Sequence, residues 1–234
     1  MKGDTDMGGI FDLDGSLMRA LNGFADMVVM SLWWLLGCLP VVTIGASTTA
    51  LYYAAMKSVR HEGTVTRNFW KSYRENLKQA VVVEGILVVL GVLLYMMYRL
   101  AFGMDGGLSG IAQLGFQVLF FLYLIMLSFV FPVLSRFVLT VPQLFRNVLI
   151  MCIGDVPRTV GIVVIHLLPL LLIFLRIDWF FTALPMLAAL IPGIVATLNA
   201  GMFLKIFQKY IPEEILEQEE EANQNLGMFE TEES

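Results

Sequence analysis

Residues 40–80, PVVTIGASTTALYYAAMKSVRHEGTVTRNFWKSYRENLKQA, leave one apolar block, cross a strongly basic region and enter the next apolar block. Six of the chain's 15 Lys and Arg residues fall inside this stretch: Lys57, Arg60, Arg67, Lys71, Arg74 and Lys78. A basic link between two apolar runs is the mark of a cytoplasmic loop in a membrane protein. After Thr66, which reads as an N-cap, residues 67–79 contain no Gly or Pro. One long helix is therefore expected to run from the loop into the following span, with Gly85 or Gly91 as the place for any kink.

The composition of the whole chain agrees with a membrane location. Of 234 residues, 58% are hydrophobic and 15% charged, and the mean hydropathy is +0.76. Soluble domains are about 45–50% apolar. Five blocks, 21–44, 80–100, 111–134, 159–175 and 179–203, suit a hydrocarbon core that takes about 20 helical residues to cross. Backbone polar groups in lipid must be satisfied within the segment, and the alternating ten-residue pattern of barrel strands is absent. The expected fold is all-α, a polytopic helical membrane bundle of about five transmembrane helices with amphipathic cytoplasmic helices between them. It divides into an N-terminal segment 1–20, a membrane domain 21–210 and an acidic tail 211–234.

Charge sets the expected orientation. With these spans, eleven Lys and Arg lie on one side and only Lys2, Arg19, Arg99 and Arg176 on the other. The positive-inside tendency then puts the tail in the cytoplasm and the N-terminus outside. The alternative is that residues 46–59 enter the membrane and make a hairpin of the first block, with the N-terminus inside. The net charge of −5 reflects nine glutamates after Ile211; without them 15 bases face 11 acids. Nucleic-acid binding gains no support from this balance. The tail, poor in apolar residues, is read as solvated, with a cover for the basic loop as the sharper idea. The acidic start of the chain lacks a signal-peptide pattern, so the first span is expected to be retained. The outer loops, around Asp105 and at Arg176 to Asp178, are too short for a folded receptor domain.

Few residues suggest chemistry. Asp12-Leu-Asp14-Gly15 resembles the start of a calcium-binding loop, but the later ligand positions are missing. Cys38 and Cys152 have no partner at metal-ligand spacing, and none of the common nucleophile or phosphate-binding motifs is present. No catalytic residue, metal ligand or cofactor site is expected, and the chain reads as a non-enzyme.

Ionisable or strongly polar groups within spans are costly, at about 2.5–3.5 kcal/mol for a charge at the helix centre. Glu84, His166 and Asn199 are the candidates. All three lie in the cytoplasmic third of their spans, where they are expected to form a polar cluster with Arg158 or Lys205 as counter-ion. The plainer reading has Glu84 snorkelling, His166 bonded to a carbonyl freed by Pro169, and Asn199 bridging helices.

A second candidate is a partner or lipid face made by Arg67, Trp70, Lys71, Tyr73 and Arg74, with the aromatic rings at headgroup level. Trp33 and Trp34, mid-block, are expected to face neighbouring helices. The stripes Ala46, Ala50, Ala54 and Ala189, Gly193, Thr197, Gly201 point to close helix packing, within the chain or in a homo-oligomer. The prolines Pro132, Pro169, Pro185 and Pro192 are read as packing kinks before gating ones. Pro40 to Thr48 and Pro132 to Thr140 hint at an internal repeat, against chance likeness of membrane-exit sequences.

The segments LPVVTIGASTTALYYAAMKSVR, NFWKSYRENLKQA and FVFPVLSRF resemble the YesL family of bacterial membrane proteins, a family of unknown function. The resemblance covers about residues 11–210 and is strongest at 39–80; the acidic tail departs from it. It implies a small multi-pass protein of the bacterial cytoplasmic membrane, often encoded beside carbohydrate-uptake ABC transporters. The function expected on that basis is a non-enzymatic accessory or regulatory component of sugar uptake, with the lipid bilayer and ABC transporter subunits as partners. An independent small-solute transporter and a structural or lipid-interacting protein are the alternatives.

Overall fold

The computed structural model describes residues 8–103, 109–175 and 177–211. The expectations for the Asp105 loop, Arg176 and the acidic tail lie outside these residues. Among the described residues all regular structure is helical: α1 (Gly8–Gly37), α2 (Ile44–Val59), α3 (Val65–Gly103), α4 (Ser109–Arg136), α5 (Val141–Gly154), α6 (Val156–Leu175) and α7 (Ile177–Phe207), with a short 3₁₀ turn at Val41–Thr43.

The stretch at 40–80 folds as a tight hairpin around the Arg60–Thr64 turn. His61 and Gly63 take positive φ there, 56° and 65°, a region open to glycine and costly for most other residues. α3 then runs unbroken for 39 residues, about 58 Å at 1.5 Å per residue, as the sequence suggested. Its start differs. The helix begins at Val65, and the Thr64 carbonyl accepts the first helical bond, from the Asn68 amide at 3.0 Å. The Thr66 hydroxyl, expected to cap, instead accepts from Trp33 Nε1 at 3.1 Å.

The 16-residue helix α2 is the centre of the bundle, packed against α1, α3, α4 and α7. Ala46, Ala50 and Ala54 are all fully buried, because a row of methyl-sized side chains lets neighbouring backbones close in. Trp34 Nε1 bonds Thr48 Oγ1 near the start of α2, and Ser58 Oγ bonds Asp26 near its end. α1 and α2 are thus an antiparallel hairpin, and α1 runs parallel to α3. The start of α1 therefore lies toward the same bundle end as the α2–α3 turn.

α3 and α4 are antiparallel, with Tyr123 Oη donating to the Leu87 carbonyl and Tyr98 packed on Phe116. At Gly193, α7 meets α1. The Gly193 amide donates to Ser31 Oγ at 2.8 Å, and a methyl group there would collide with the Met27 carbonyl. Gly201, in the same stripe, has open space where a side chain would go. Pro132 lies inside α4, which continues to Arg136, whereas Pro40 sits in the turn before α2. Thr140 caps α5 with a reciprocal Gln143 bond, while Thr48 lies inside α2, a turn past its start. The two halves of the suggested repeat thus differ locally.

By length and apolarity α3, α4 and 187–207 of α7 qualify as spans, and the α5–α6 pair, bent by 108°, makes a fourth if it is one broken span. The apolar part of α1, Leu21–Gly37, is shorter. Large apolar side chains are exposed along the upper halves of α3 and α4, among them Val82, Val89, Leu93, Leu114, Val118 and Phe121. Exposed apolar surface on this scale suits lipid. These helices suggest a membrane location.

Candidate functional site

The buried polar groups string along α2 and the helices around it. Midway, Tyr52 Oη lies 2.6 Å from His166 Nε2. His166 Nδ1 lies 2.9 Å from the Ile162 carbonyl and 3.1 Å from the Asn199 amide. Asn199 is fully buried and Tyr52 is 3% exposed. A carbonyl only accepts, so the Ile162 contact places the histidine proton on Nδ1. Nε2 then accepts from the Tyr52 hydroxyl, and the Asn199 amide turns its oxygen toward Nδ1–H. One atom of that amide, the position assigned Oδ1, is left without a partner.

Two of the three predicted intramembrane residues, His166 and Asn199, therefore meet. Glu84 does not join them; its Oε2 accepts from the Gly45 amide at 3.0 Å. Gly45 is the second residue of α2, so the carboxylate neutralises the positive end of that helix, where anions are favoured. The carbonyl bonded to His166 is that of Ile162, four residues earlier. Pro169, lacking an N–H, would free the carbonyl of Ile165 instead.

The expected counter-ions are engaged elsewhere or outside the cluster. Arg158 pairs with Asp155, and Lys209 reaches the same carboxylate at 2.5 Å. Asp155 sits at the bend between α5 and α6, before the apolar run of α6 begins at Thr159. The hydrogen bond from Lys209, helped by Arg158, holds its carboxyl below the usual carboxylate range. Lys205 is exposed on the last turn of α7.

The predicted partner face splits by side-chain type. Arg67, Lys71 and Arg74 are exposed on α3, as is Lys78. Spaced by four, three and four residues, these bases share an arc of about 60° on the helix, at 3.6 residues per turn. Trp70 and Tyr73 turn inward instead. Trp70 stands edge-on to Trp33, centroids 5.3 Å apart, and packs on Phe69 and Tyr73. These rings glue α1 to α3, where headgroup anchoring was expected. Trp33 and Trp34 face neighbouring helices, as the sequence suggested.

Sequence reading missed Tyr52 and Ser31. Both lie in apolar runs, and only their neighbours in space make them polar bridges. Among the described residues no cluster of metal-ligand type forms, and Cys38 and Cys152 are free thiols.

No curated protein and no solved structure matches the chain. A family model described as "Protein of unknown function, DUF624" matches residues 27–98, so from the later half of α1 through α2 and most of α3 the chain is similar to that uncharacterised family.

Proposed function

We propose that this protein is a non-enzymatic accessory or regulatory component of a bacterial cytoplasmic membrane, docking a partner through the basic end of its helical bundle. The observation that carries the reading is the exposed row Arg67, Lys71, Arg74 and Lys78 on one face of α3, held on a rigid aromatic seam. Val82 and Val89, on nearly the same face, are exposed and apolar, so the lipid boundary falls just past Lys78. Arg74 and Lys78 then lie within the headgroup layer, about 5–8 Å thick on each side. Lys71 and Arg67, about 10 and 17 Å below Lys78 at the helical rise, extend past it, where an acidic protein surface can pair with them. The YesL resemblance directs the choice of partner to a carbohydrate-uptake ABC transporter.

The positive-inside tendency places this basic end, with Arg60, Arg136, Lys205 and Lys209 beside it, in the cytoplasm. With α1 parallel to α3, the start of α1 faces the cytoplasm too. Purification in mild detergent from cells grown on oligosaccharide is expected to recover a transporter subunit at near-equal stoichiometry. The double charge reversal R67E/K71E should lose it while the protein stays folded. Recovery of the wild type alone, or equal recovery by the variant, refutes the reading.

The buried Tyr52–His166–Asn199 trio favours a second reading, a small-solute transporter with these groups on its path. Flux in liposomes holding this protein alone, abolished by H166A, would support it, and no flux over a broad solute panel would argue strongly against it.

A further inference from the structure

The turn that joins α1 to α2 carries large aliphatic side chains into the open. Leu39 is 77% exposed and Val41 72%, and Leu36, Val42 and Ile44 are exposed beside them. From Met27 to Met56 the hairpin holds no Asp, Glu, Lys, Arg or His. Asp26 and Lys57 close that stretch at the other end, where Ser58 Oγ bonds Asp26 at 3.0 Å. We infer that this hairpin is re-entrant: its apolar tip, Leu36 to Ile44, seats among the acyl chains of the cytoplasmic leaflet and turns back without crossing the bilayer.

The arms are too short to cross. The apolar part of α1, 21–37, and the 16-residue α2 each measure about 25 Å at the helical rise, and a hydrocarbon core is about 30 Å thick. α3 serves as a ruler beside them. A methyl group on Gly37 would stand 3.2 Å from the Tyr73 ring, and one on Gly45 3.2 Å from the Ala80 carbonyl. The tip therefore ends alongside residues 73–84 of α3. From Glu84, α3 continues to Gly103, about 28 Å farther, with exposed apolar side chains along the way.

The backbone of the turn suits a place without water, where an unanswered amide or carbonyl is costly. The Cys38 amide bonds the Trp34 carbonyl, Leu39 that of Leu36 and Thr43 that of Pro40. The Ile44 amide bonds the Val41 carbonyl, and Pro40 has no amide to satisfy. Thr43 Oγ1 donates to the Gly37 and Pro40 carbonyls, both at 2.8 Å. The next amide, Gly45, has Glu84 as its acceptor. This gives the intramembrane carboxylate a task, which is to answer the first turn of α2 at a depth where water does not.

Continuity selects lipid as the occupant. Val82 and Ile86, on either side of Glu84, are exposed and apolar and lie just past Lys78, the last exposed base of α3. The tip and this lipid-facing wall of α3 share one depth. In water, the same five aliphatic side chains would form an uncovered apolar patch. The leaflet follows from the basic end of the bundle, which the positive-inside tendency assigns to the cytoplasm.

The test uses the full chain with Cys38 and Cys152 replaced by alanine and one cysteine added: V42C at the tip, V89C in the α3 span or K71C among the exposed bases. Spin-labelled and placed in phosphatidylcholine nanodiscs, each is probed with oxygen, which concentrates in lipid, and with a nickel chelate, which stays in water. The ratio of oxygen to nickel relaxation at V42C is expected to shift away from that of K71C toward that of V89C. In intact cells an impermeant maleimide should leave V42C unlabelled. A nickel-dominated ratio at V42C puts the tip in water and overturns the inference. Shielding from both reagents puts it against a second copy and does the same. Labelling from outside the cell means that the hairpin crosses, which also overturns it. L39C, at the most exposed residue of the tip, gives the same reading if V42C folds poorly.

Discussion

At the scale of single residues, the inside of this bundle is decided by a few buried polar atoms and the partners they find. Tyr52 shows this best. Its hydroxyl faces His166 Nε2 at 2.6 Å, deep among Phe203 and Asn199. Tyr52→Phe keeps the ring and its edge contact with Phe203 but leaves the imidazole nitrogen unpaired. We expect a loss of about 1–3 kcal/mol, the cost of orphaning a buried polar group, nearer the lower figure because the unfolded chain in lipid also finds partners. Detergent-titrated unfolding of the wild type and Y52F measures it; an unchanged midpoint would show that the bond contributes nothing to stability.

Glu84 illustrates how depth alone misleads at this scale. Sequence placed it level with His166 and Asn199, but level does not mean adjacent. The side of α3 from which it projects faces the first turn of α2, so it serves the Gly45 amide.

At the scale of elements, the bend between α5 and α6 needs an anchor, since two helices meeting at 108° leave Asp155 between them. Thr159 Oγ1 bonds the Cys152 and Asp155 carbonyls across the bend, and Lys209 ties Asp155 to the end of α7. The carboxyl is held below its ordinary value of 3.8 by these cations. A depressed acid stabilises the fold at pH above its unfolded value and loses that contribution as pH falls through the folded value. D155N is thus expected to unfold at a lower temperature than wild type at pH 7, with the gap narrowing below about pH 4. Parallel melting curves across that window would rule out the ion pair as the anchor. The aromatic seam between α1 and α3 works similarly without charge: Trp33, Trp70, Phe69 and Tyr73 lock two parallel helices by edge contacts, which favour offset geometry.

At the scale of the whole molecule, charge and topology agree. Lys57, Arg60, Arg67, Arg136, Lys205 and Lys209 gather toward one end because α2, α4 and α7 finish there and α3 starts there. The hairpin of α1 and α2 brings the start of α1 to that end as well. Cysteines introduced at Thr5 and Glu230 should therefore both be protected from an impermeant reagent in intact cells and both react after permeabilisation. Labelling of position 5 alone in intact cells would restore the outside N-terminus expected from five simple crossings.

The sequence by itself determined the helical class and the long unbroken α3, because apolar block length and the absence of breakers are local properties that lipid makes decisive. It also determined which residues were too polar to sit in a span without a reason. It could not say what each would meet. Residues 46–59 carry too few large apolar groups to look like a core, yet their small side chains make them the centre, since closeness of backbones depends on the neighbours that pack against them. His166 with Asn199 and Tyr52, Glu84 with Gly45, and Ser31 with Gly193 are all pairings between distant parts of the chain. Only the tertiary structure decided them, because the rotation of each helix about its own axis is set by packing against the others.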